Sequence, residues 1–372
     1  MSFGGVRQAP RRVVIVGGGV VGCAATFELA RAGLDVTLVE RDEIAAHASG
    51  QNAGNINPLH GATAEQLRTT LPAFRRHAEI REALIGMGCG DFALAPVVRL
   101  LVAFEERERA ELAITAARFE STDGFSARWL DADEVRRQAP RLAGEIAFAI
   151  ETTGSLSLDA AAFTRALAEA AVKLGARILR GEATGLACQG DRIVAARTQD
   201  AELGCDELVL ATGPWVAETA AWLGVTTPVR PVKGEMLLLR LPGGPLGCDV
   251  TGGGAALYRR REDQMWLGVT STEEGFDAAP TASAREGLMA KGRRILPEIA
   301  RSEVLDHVAA LRPVATPDAP IVQRAPGWAN ATIANGGGWK SVLLAPAMAD
   351  AVRHLLTGAE APAPLSDRAR RA

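Results

Sequence analysis

The stretch VVIVGGGVVGCAATFELARAGLDVTLVERD, from Val13 to Asp42, decides the fold of this chain. Four apolar residues lead directly into a run of three glycines, and apolar positions then recur at helical spacing until Gly33. A second apolar run follows and closes on Glu40, 23 residues after Gly17. This pattern predicts a buried strand, a tight glycine turn, a helix and a second strand.

The spaced glycines of this turn fit the dinucleotide-binding pattern GxGxxG. Gly17 makes the turn, Gly19 lets the backbone approach a pyrophosphate, and Gly22 lets the helix lie close on the strand. The helix N-terminus, which Val20 and Val21 open, presents free N–H groups and a partial positive charge to phosphates. The turn therefore predicts a bound dinucleotide.

The acidic residue at the end of the second strand supports this prediction. A carboxylate such as Glu40 accepts hydrogen bonds from ribose hydroxyls, and its charge disfavours the 2′-phosphate of NADP. Arg41 beside it weakens the inference against NADP. Because the turn lies between a strand and a helix and has the acidic residue at the right distance, the motif is a strong indication. The alternative is a glycine-rich turn that binds nothing.

Length and composition limit the class of protein. With 372 residues, of which 48% are hydrophobic and 23% charged, the sequence predicts a soluble globular protein of two domains. A net charge of −3 and the lack of basic clusters argue against nucleic acid as a partner. The five scattered cysteines suggest neither a disulfide framework nor a metal site, and no apolar run is long enough to span a membrane. The N-terminal segment lacks the apolar core of a signal peptide, so we expect a cytoplasmic protein.

The rest of the chain alternates helices and strands. Periodicity predicts helices over 64–86, 105–119, 130–140, 159–174 and 281–296, and strands over 92–104 and 208–211. A capping pair, Asp131 and Glu134, opens the helix that ends before Pro140. From residue 176 the pattern predicts a β-meander, and residues 226–270 are predicted to be mostly β. The chain closes with a predicted strand, glycine loop and helix.

Three glycine-bearing loops follow strands or precede helices, at residues 17–22, 212–214 and 336–338. Together with the loop at 48–54, they are suited to surround a long cofactor. Each later loop taken alone is more often a structural turn, so the prediction depends on their joint order. A helix beginning at about Ser341 would aim its positive end at whatever the last loop contacts.

The order of these loops resembles the flavoprotein family of D-amino acid oxidase, glycine oxidase and monomeric sarcosine oxidase. The pieces LYRRREDQMWLGVTSTEEGFD, LRPVATPDAPIV and LLAPAMADAV look closest to glycine oxidases. The resemblance implies FAD, with its ADP half at the N-terminal turn and its flavin ring beside the loops ASGQNAGNINP and NGGGWKSVLLAP. The FAD-binding residues it implies are Gly17, Gly19, Val20, Val21, Gly22, Glu40, Arg41, Ser49, Gly50, Gln51, Asn52, Ala53, Gly54, Ala183, Thr212, Gly213, Gly336, Gly337, Gly338, Trp339 and Lys340.

The sequence also departs from that family. Where sarcosine oxidases attach FAD through a cysteine, residues 313–317 contain none, and where other relatives use a histidine this chain has Gln51. We therefore expect the FAD to be non-covalent. The lysine that activates oxygen in sarcosine oxidases falls near Met265 or Trp266, which argues against a fast reaction with oxygen.

The resemblance implies an α/β architecture with two domains. One is a doubly wound, Rossmann-like FAD-binding domain of the glutathione-reductase type, and the other is a substrate domain of mixed β-sheet and helices. We predict the FAD-binding domain over residues 1–75, 146–225 and 310–372, and the substrate domain over residues 76–145 and 226–309.

The resemblance further implies that the protein oxidises the C–N bond of an amino acid or an N-substituted amino acid. A hydride passes from the substrate carbon to flavin N5 and leaves an imine that water hydrolyses, so no protein side chain is assigned as catalytic. Arg312 matches the family's carboxylate clamp, Lys340 matches a lysine that also meets the carboxylate, and Tyr258, the only tyrosine, matches a pocket residue. The alternative interpretations are a surface salt bridge for Arg312, a solvated loop lysine for Lys340 and a half-buried strand tyrosine for Tyr258.

Other functions remain open from the sequence. A dehydrogenase would pass electrons to a quinone or a partner subunit instead of oxygen, and some relatives oxidise 2-hydroxy acids. A flavin-holding subunit that is inert alone is the non-enzyme alternative, and a homo-oligomer is equally compatible. His47 and His60 receive no role, whereas Asn52 and Asn55 are candidates for hydrogen bonds to flavin or substrate.

Overall fold

The computed structural model describes residues 10–261, 263–360 and 365. Its helices are α1 (Val20–Arg31), α2 (Ala64–Gly86), α3 (Arg109–Glu120), α4 (Ala132–Gln138), α5 (Ala160–Lys173), α6 (Val216–Ala221), α7 (Ala282–Ile295) and α8 (Ser341–Thr357). Its strands are β1 (Arg12–Val16), β2 (Asp35–Glu40), β3 (Asn55–Ile56), β4 (Leu94–Ala103), β5 (Ser126–Asp131), β6 (Phe148–Leu158), β7 (Arg177–Arg180), β8 (Ala183–Gln189), β9 (Arg192–Thr198), β10 (Glu202–Gly204), β11 (Glu207–Leu210), β12 (Val229–Arg240), β13 (Asp249–Gly252), β14 (Ala255–Arg261), β15 (Gln264–Gly268), β16 (Glu303–Ala315), β17 (Ile321–Arg324) and β18 (Ala331–Asn335).

A six-stranded sheet contains the N-terminal strand–turn–helix unit. Its strand order is β17-β18-β11-β1-β2-β7, and all neighbours are parallel except the edge pair β17–β18. Helix α1 packs against α5 and α8, and the shared core includes the fully buried Phe27 and Phe163. The predicted doubly wound α/β fold is confirmed.

The second large sheet of the structure is mixed and has nine strands. Its main path is β16-β12-β15-β14-β13-β4-β6-β3, and β5 pairs with β6 beside that path. Helix α7 packs against β12, β14 and β15, and the core beneath it includes Leu237, Leu257 and Leu288. This sheet is the predicted mixed β-sheet with helices.

The observed meander has fewer strands than the sequence predicts. Strands β8, β9 and β10 form an antiparallel three-stranded sheet, but β7 pairs in parallel with β2 instead. The reason is the core: Ile178 packs against the residues that surround α1, and the Gly181 N–H donates to Glu40 O over 2.7 Å. Inclusion of β7 in the meander was therefore wrong.

The strand pairing does not follow the predicted domain boundaries at every point. Strand β6, predicted in the FAD-binding part, pairs with β4 and β5 in the nine-stranded sheet, and residues 310–315 continue β16 there. Conversely, Ile80 and Leu84, in the C-terminal half of α2, are buried in the core that contains α1. Alternation along a strand shows that it is half-buried but not which sheet it joins, so the boundaries remain a prediction.

Periodicity and capping residues in the sequence predicted the positions of the helices correctly. The short helix α4 has the predicted capping box: Glu134 N–H donates to Asp131 Oδ1 over 2.8 Å, and Asp131 N–H donates to Glu134 Oε2 over 2.9 Å. Helix α2 covers the predicted span, and α8 begins at Ser341 as predicted. None of the helices in the described part of the chain is long and apolar enough to cross a membrane.

Candidate active site

The glycine turn after β1 is shaped by two close backbone approaches. Gly17 has φ +112°, and a Cβ there would lie 2.4 Å from Ala211 O on the neighbouring strand. A Cβ on Gly22 would lie 1.9 Å from Gly17 O, so only glycine lets α1 pack this tightly on the turn. The turn therefore places the N-terminus of α1 directly above the carboxyl ends of β1 and β11.

Two side chains tie other loops to this turn. Glu40 Oε2 accepts from Gly18 N–H over 2.5 Å, and Glu40 Oε1 accepts from Asp42 N–H over 2.9 Å. Ser49 Oγ accepts from Val20 N–H over 2.9 Å, which docks the 48–54 loop at the start of α1. These bonds hold the carboxylate and the loop at the edge of one cavity.

A cavity of about 950 Å³ lies along these loops. Most of the predicted FAD-binding residues line it: Gly17, Gly19, Val20, Val21, Glu40, Arg41, Ser49, Gln51, Asn52, Ala53, Ala183, Thr212, Gly213, Gly336, Gly337, Gly338, Trp339 and Lys340. Gly22, Gly50 and Gly54 are outside the lining. A Cβ on Gly50 would lie 2.0 Å from Ala45 O, and one on Gly54 would lie 1.9 Å from Leu158 O, so these glycines shape the loop instead.

An aromatic residue that the sequence reasoning did not select lies at one end of the cavity. Trp215, directly after the Thr-Gly-Pro turn, lines the cavity, and the Arg41 guanidinium lies 4.1 Å from its ring centroid. The same ring lies 4.9 Å from the ring of His47, whose Nε2 is 2.7 Å from Asp42 Oδ2. The His47 hydrogen bond is the main reason that the pKa of Asp42 is lowered.

The loop at residues 335–340 contributes hydrogen-bond donors at the other end of the cavity. Gly336 and Gly338 have φ +74° and +52°, and a short 3₁₀ turn over Gly338–Lys340 leads into α8. Asn335 Oδ1 accepts from Gly336 N–H over 2.7 Å, whereas Asn335 Nδ2 is buried without a hydrogen-bond partner in the described residues. A buried amide donor of this kind is available to an acceptor atom of a bound molecule.

Arg312 faces the same cavity from β16. Its Nη1 donates to Thr270 O over 3.3 Å, its guanidinium lies 4.3 Å from the ring centroid of Trp339, and no carboxylate of the described residues forms an ion pair with it. A Cβ on Gly234, in the neighbouring strand β12, would lie 1.9 Å from Arg312 Nη2. Burial lowers the pKa of Arg312 to about 10, which leaves the group charged at neutral pH.

Lys340 and Tyr258 complete the predicted substrate residues, and both line the cavity. Lys340 Nζ is buried and has no hydrogen-bond partner in the described residues; burial lowers its pKa, and the charge of Asp318 opposes that shift. The Tyr258 ring centroid lies 5.4 Å from the Arg99 guanidinium, and burial raises the pKa of the phenol. The structure thus brings Arg312, Lys340 and Tyr258 to one cavity.

Comparison with known proteins decides the family. A family model described as FAD dependent oxidoreductase matches residues 12–355. The chain belongs to this family of FAD-dependent oxidoreductases.

Its similarity to individual members spans the whole fold. Glycine oxidase of Pseudomonas aeruginosa is 30% identical to it, covering 94% of this chain and 95% of that protein. The crystal structure of glycine oxidase from Geobacillus kaustophilus superposes with a TM-score of 0.89 at 25% identity, covering 96% of this chain and 98% of that one. The iminodiacetate oxidase of Chelativorans sp. BNC1 gives 0.86 at 25% identity, with the same coverage of both chains.

The cavity of this FAD-dependent oxidoreductase fits its cofactor. Backbone N–H groups at the start of α1 suit a pyrophosphate, and the Glu40 carboxylate next to Gly18 suits ribose hydroxyls. At the far end, the buried donors of Asn335 and Lys340 offer hydrogen bonds to carbonyl and ring nitrogen acceptors. Within the described residues, no cluster of three or more His, Cys, Asp or Glu side chains is arranged to hold a metal ion.

Several site residues were missed because no local pattern marks them. Arg99 Nη2 donates to Asn55 Oδ1 over 2.7 Å and to Asp249 Oδ2 over 2.8 Å, in a buried cluster behind Tyr258. These partners come from three distant segments, and only Asn55 had been named as a candidate. Gly234 was missed for the same reason, since its neighbour Arg312 is 78 residues away (312 − 234).

The residues that the resemblance places at the oxygen-activating lysine of sarcosine oxidases, Met265 and Trp266, lie outside the cavity lining. Met265 is fully buried in the core of the nine-stranded sheet, where its sulfur accepts from Leu246 N–H over 3.3 Å. Neither Met265 nor Trp266 is part of the cavity lining in the described residues. His60 does line the cavity; burial first, and then the charges of Arg99, Lys340 and Arg118, lower its pKa.

Proposed function

We propose that this protein oxidises the C–N bond of an amino acid or an N-substituted amino acid, using non-covalent FAD as the electron acceptor. The similarity to glycine oxidases supports an amino acid as the substrate class. The observation on which the proposal rests is the guanidinium of Arg312, which faces the cavity without a carboxylate partner.

A half-buried guanidinium without an ion-pair partner favours an anion. Removing a cation from water costs several kcal/mol (about 2–5 in protein contexts), and the described residues place no carboxylate within ion-pair distance of Arg312. Its planar fork matches a carboxylate through two parallel hydrogen bonds, and Gly234 leaves the space that the fork needs. The α-carboxylate of an amino acid satisfies both requirements.

The wall beside Arg312 suits the substrate amine. On the paired strands β12 and β16, Gly234 lies opposite Ala310, and Met236 follows two positions later on the same face. Val269 adds to this apolar lining. Because an apolar wall disfavours an ammonium ion, the substrate amine binds in its neutral form, which is the form that can lose a hydride from the adjacent carbon.

The division of roles follows from these positions. Arg312 fixes the carboxylate, and Tyr258 and Met236 line the pocket around the substrate carbon. FAD supplies the redox chemistry by accepting the hydride. The residues proposed for its binding are those of the glycine turn, the 48–54 loop and the 335–340 loop that line the cavity.

The test is to mix the purified holoprotein anaerobically with D-, L- and N-methyl amino acids, opines and 2-hydroxy acids. The reduction of the flavin is monitored by its absorbance. We expect an amine-bearing acid to remove the absorbance. For that acid, Arg312→Met should raise the half-saturating concentration about 100-fold, and Arg312→Lys, which keeps the charge but not the fork, about tenfold.

The same mixture separates the alternatives. Rapid recovery of the flavin absorbance when air is admitted identifies an oxidase. Slow recovery indicates a quinone or a partner subunit as the electron acceptor. Reduction by 2-hydroxy acids alone, by no acid at all, or equally well in the Arg312→Met variant, would contradict the proposal.

A further inference from the structure

One face of the paired strands β12 and β16 carries two neighbouring cavities. Alternate residues of a strand point to the same side of the sheet, so Met236, Gly234, Val232 and Arg230 follow one another along this face. Met236 and Gly234 line the large cavity described above, whereas Val232 and Arg230 line a second cavity of about 290 Å³. The substrate pocket and the second cavity therefore lie side by side on one continuous sheet surface.

Arg312 lies at the boundary between the two cavities. In the strand register it is opposite Val232, and Val314, two positions later on the same face, is opposite Arg230. Arg312 lines the large cavity, and Val314 lines the second cavity. The guanidinium that is proposed to bind the substrate carboxylate thus marks the end of the substrate pocket along this face.

The indole of Trp339 forms the wall at this boundary. Its ring centroid lies 4.3 Å from the Arg312 guanidinium, and Trp339 belongs to the lining of both cavities. An isolated β-bridge between Gly337 and Val314 holds the loop of Trp339 on β16. Trp339 remains 44% exposed, so packing in a hydrophobic core does not account for its position. Its contacts are those of a partition between the two cavities.

The second cavity fits an uncharged chain. Its apolar lining residues are Val232, Val314 and Ala315. The charge of Arg230 is already paired, because its Nε lies 3.1 Å from Glu273 Oε1 and its Nη1 donates to Thr316 Oγ1 over 2.7 Å. Asp318 lines both cavities, and its carboxylate repels an anion. An alkyl chain needs no polar partner and gains free energy by burial on such a surface.

We propose that Trp339 is a specificity-determining residue, which closes the substrate pocket towards the second cavity and excludes amino acids with long apolar side chains. The indole also stacks on the Arg312 guanidinium, whose donor edge stays free for the carboxylate. This inference rests on the proposed function, because it assumes that Arg312 binds the α-carboxylate of an amino acid.

The test measures how chain length affects the binding of inert acids to the holoprotein. Butyrate, hexanoate and octanoate each carry one carboxylate and no amine, and their dissociation constants are read from the change in flavin absorbance. We expect the wild-type protein to bind octanoate no more tightly than butyrate. In Trp339→Ala, butyrate should bind about two- to fivefold more weakly, because the stacking on Arg312 is lost. Octanoate should bind about tenfold more tightly than it does to the wild type, because its chain enters the second cavity.

Two further variants serve as controls. Trp339→Phe keeps an aromatic ring beside Arg312 and should admit octanoate less well than Trp339→Ala does. Val314→Ala widens the second cavity but leaves the indole in place, so the ratio of the octanoate and butyrate dissociation constants should change less than about threefold. Flavin content and melting temperature show whether each variant is folded and loaded.

The outcomes distinguish this inference from the proposed function. If the ratio of the octanoate and butyrate dissociation constants is the same in Trp339→Ala as in the wild type, Trp339 serves only Arg312 or the cofactor. The inference is then wrong, and the proposed function stands. If Val314→Ala admits octanoate as well as Trp339→Ala does, the indole is not the barrier. If no acid perturbs the flavin of the wild-type protein, or if Arg312→Met binds the acids equally well, the proposed function itself is wrong.

Discussion

Gly234 is the residue that makes room for the guanidinium of Arg312. A Cβ there would lie 1.9 Å from Nη2 and 2.2 Å from Cζ, so Gly234→Ala must displace the side chain. The obstructed group is the far end of a flexible arginine, and the strand therefore has no need to unfold. We expect binding of inert carboxylates to weaken about 100-fold, because a charge pair that loses its hydrogen-bond geometry weakens by about 2–5 kcal/mol. The measurement is the flavin absorbance titration together with the melting temperature.

A matched control is available in another strand. Gly185 lies in β8, and a Cβ there would meet nothing within 4 Å. Gly185→Ala should leave both carboxylate binding and stability nearly unchanged. If Gly234→Ala binds carboxylates as the wild type does, the guanidinium does not hold the carboxylate in the position we infer.

Single residues were predictable from the sequence where a short motif specifies them. Gly17 and Gly22 have conformations and contacts that only glycine allows, and their spacing in GxGxxG made that evident. Gly234 and Asp249 were not predictable, because their roles depend on partners that come from other segments of the chain. Tertiary contacts of this kind leave no periodic signal.

The segment 270–281 contains the carbonyl oxygen that accepts from Arg312, and a buried lysine attaches this segment to β12. Lys233 is fully buried and its Nζ lies 2.8 Å from Glu274 Oε2, while Thr272 exchanges two backbone hydrogen bonds with Lys233. Further along, Thr281 N–H donates to Glu235 Oε2 over 2.7 Å. Thr270, at the start of the segment, accepts from Arg312.

Weakening this attachment should expose the segment. Glu274→Gln removes the nearest of the three carboxylates around Lys233 Nζ, since Glu235 and Asp277 both lie 3.9 Å from it. We expect proteolytic cleavage within 270–281 to become about tenfold faster through local opening. The matched control is Glu273→Gln, whose exposed carboxylate lies 3.1 Å from Arg230 Nε and should affect cleavage less than about twofold. Equal cleavage in both variants would show that Lys233 does not anchor the segment.

The positions of helices and strands were predicted better than the pairing of the strands. Helix α2 covers the predicted residues 64–86, and the strand at 208–211 appears as β11. The sequence reasoning failed for β7, which was assigned to the meander together with the strands that follow it but pairs with β2. Helical periodicity is local, whereas strand pairing is decided by which core the apolar face reaches.

At the scale of the whole molecule, the cavity is assembled from loops that lie far apart in sequence, and its ligand should therefore stabilise the entire fold. With FAD at about 100 times its dissociation constant, the apoprotein should gain about 2.7 kcal/mol, or a rise in melting temperature of about 3–4 °C. Riboflavin, which lacks the ADP half, should give a much smaller rise. An equal effect of both would mean that the glycine turn does not bind the ADP half.

The place of β18 in the six-stranded sheet has a consequence for biosynthesis. β1 emerges early from the ribosome, but its parallel neighbour β11 follows almost 200 residues later, and β18 and α8 come last. Until then β11 has an unpaired edge, and the loop that supplies Asn335 and Lys340 does not exist. A complete cofactor site therefore forms only after this loop has been made, and a nascent chain stalled before residue 331 should need chaperones to shield that edge.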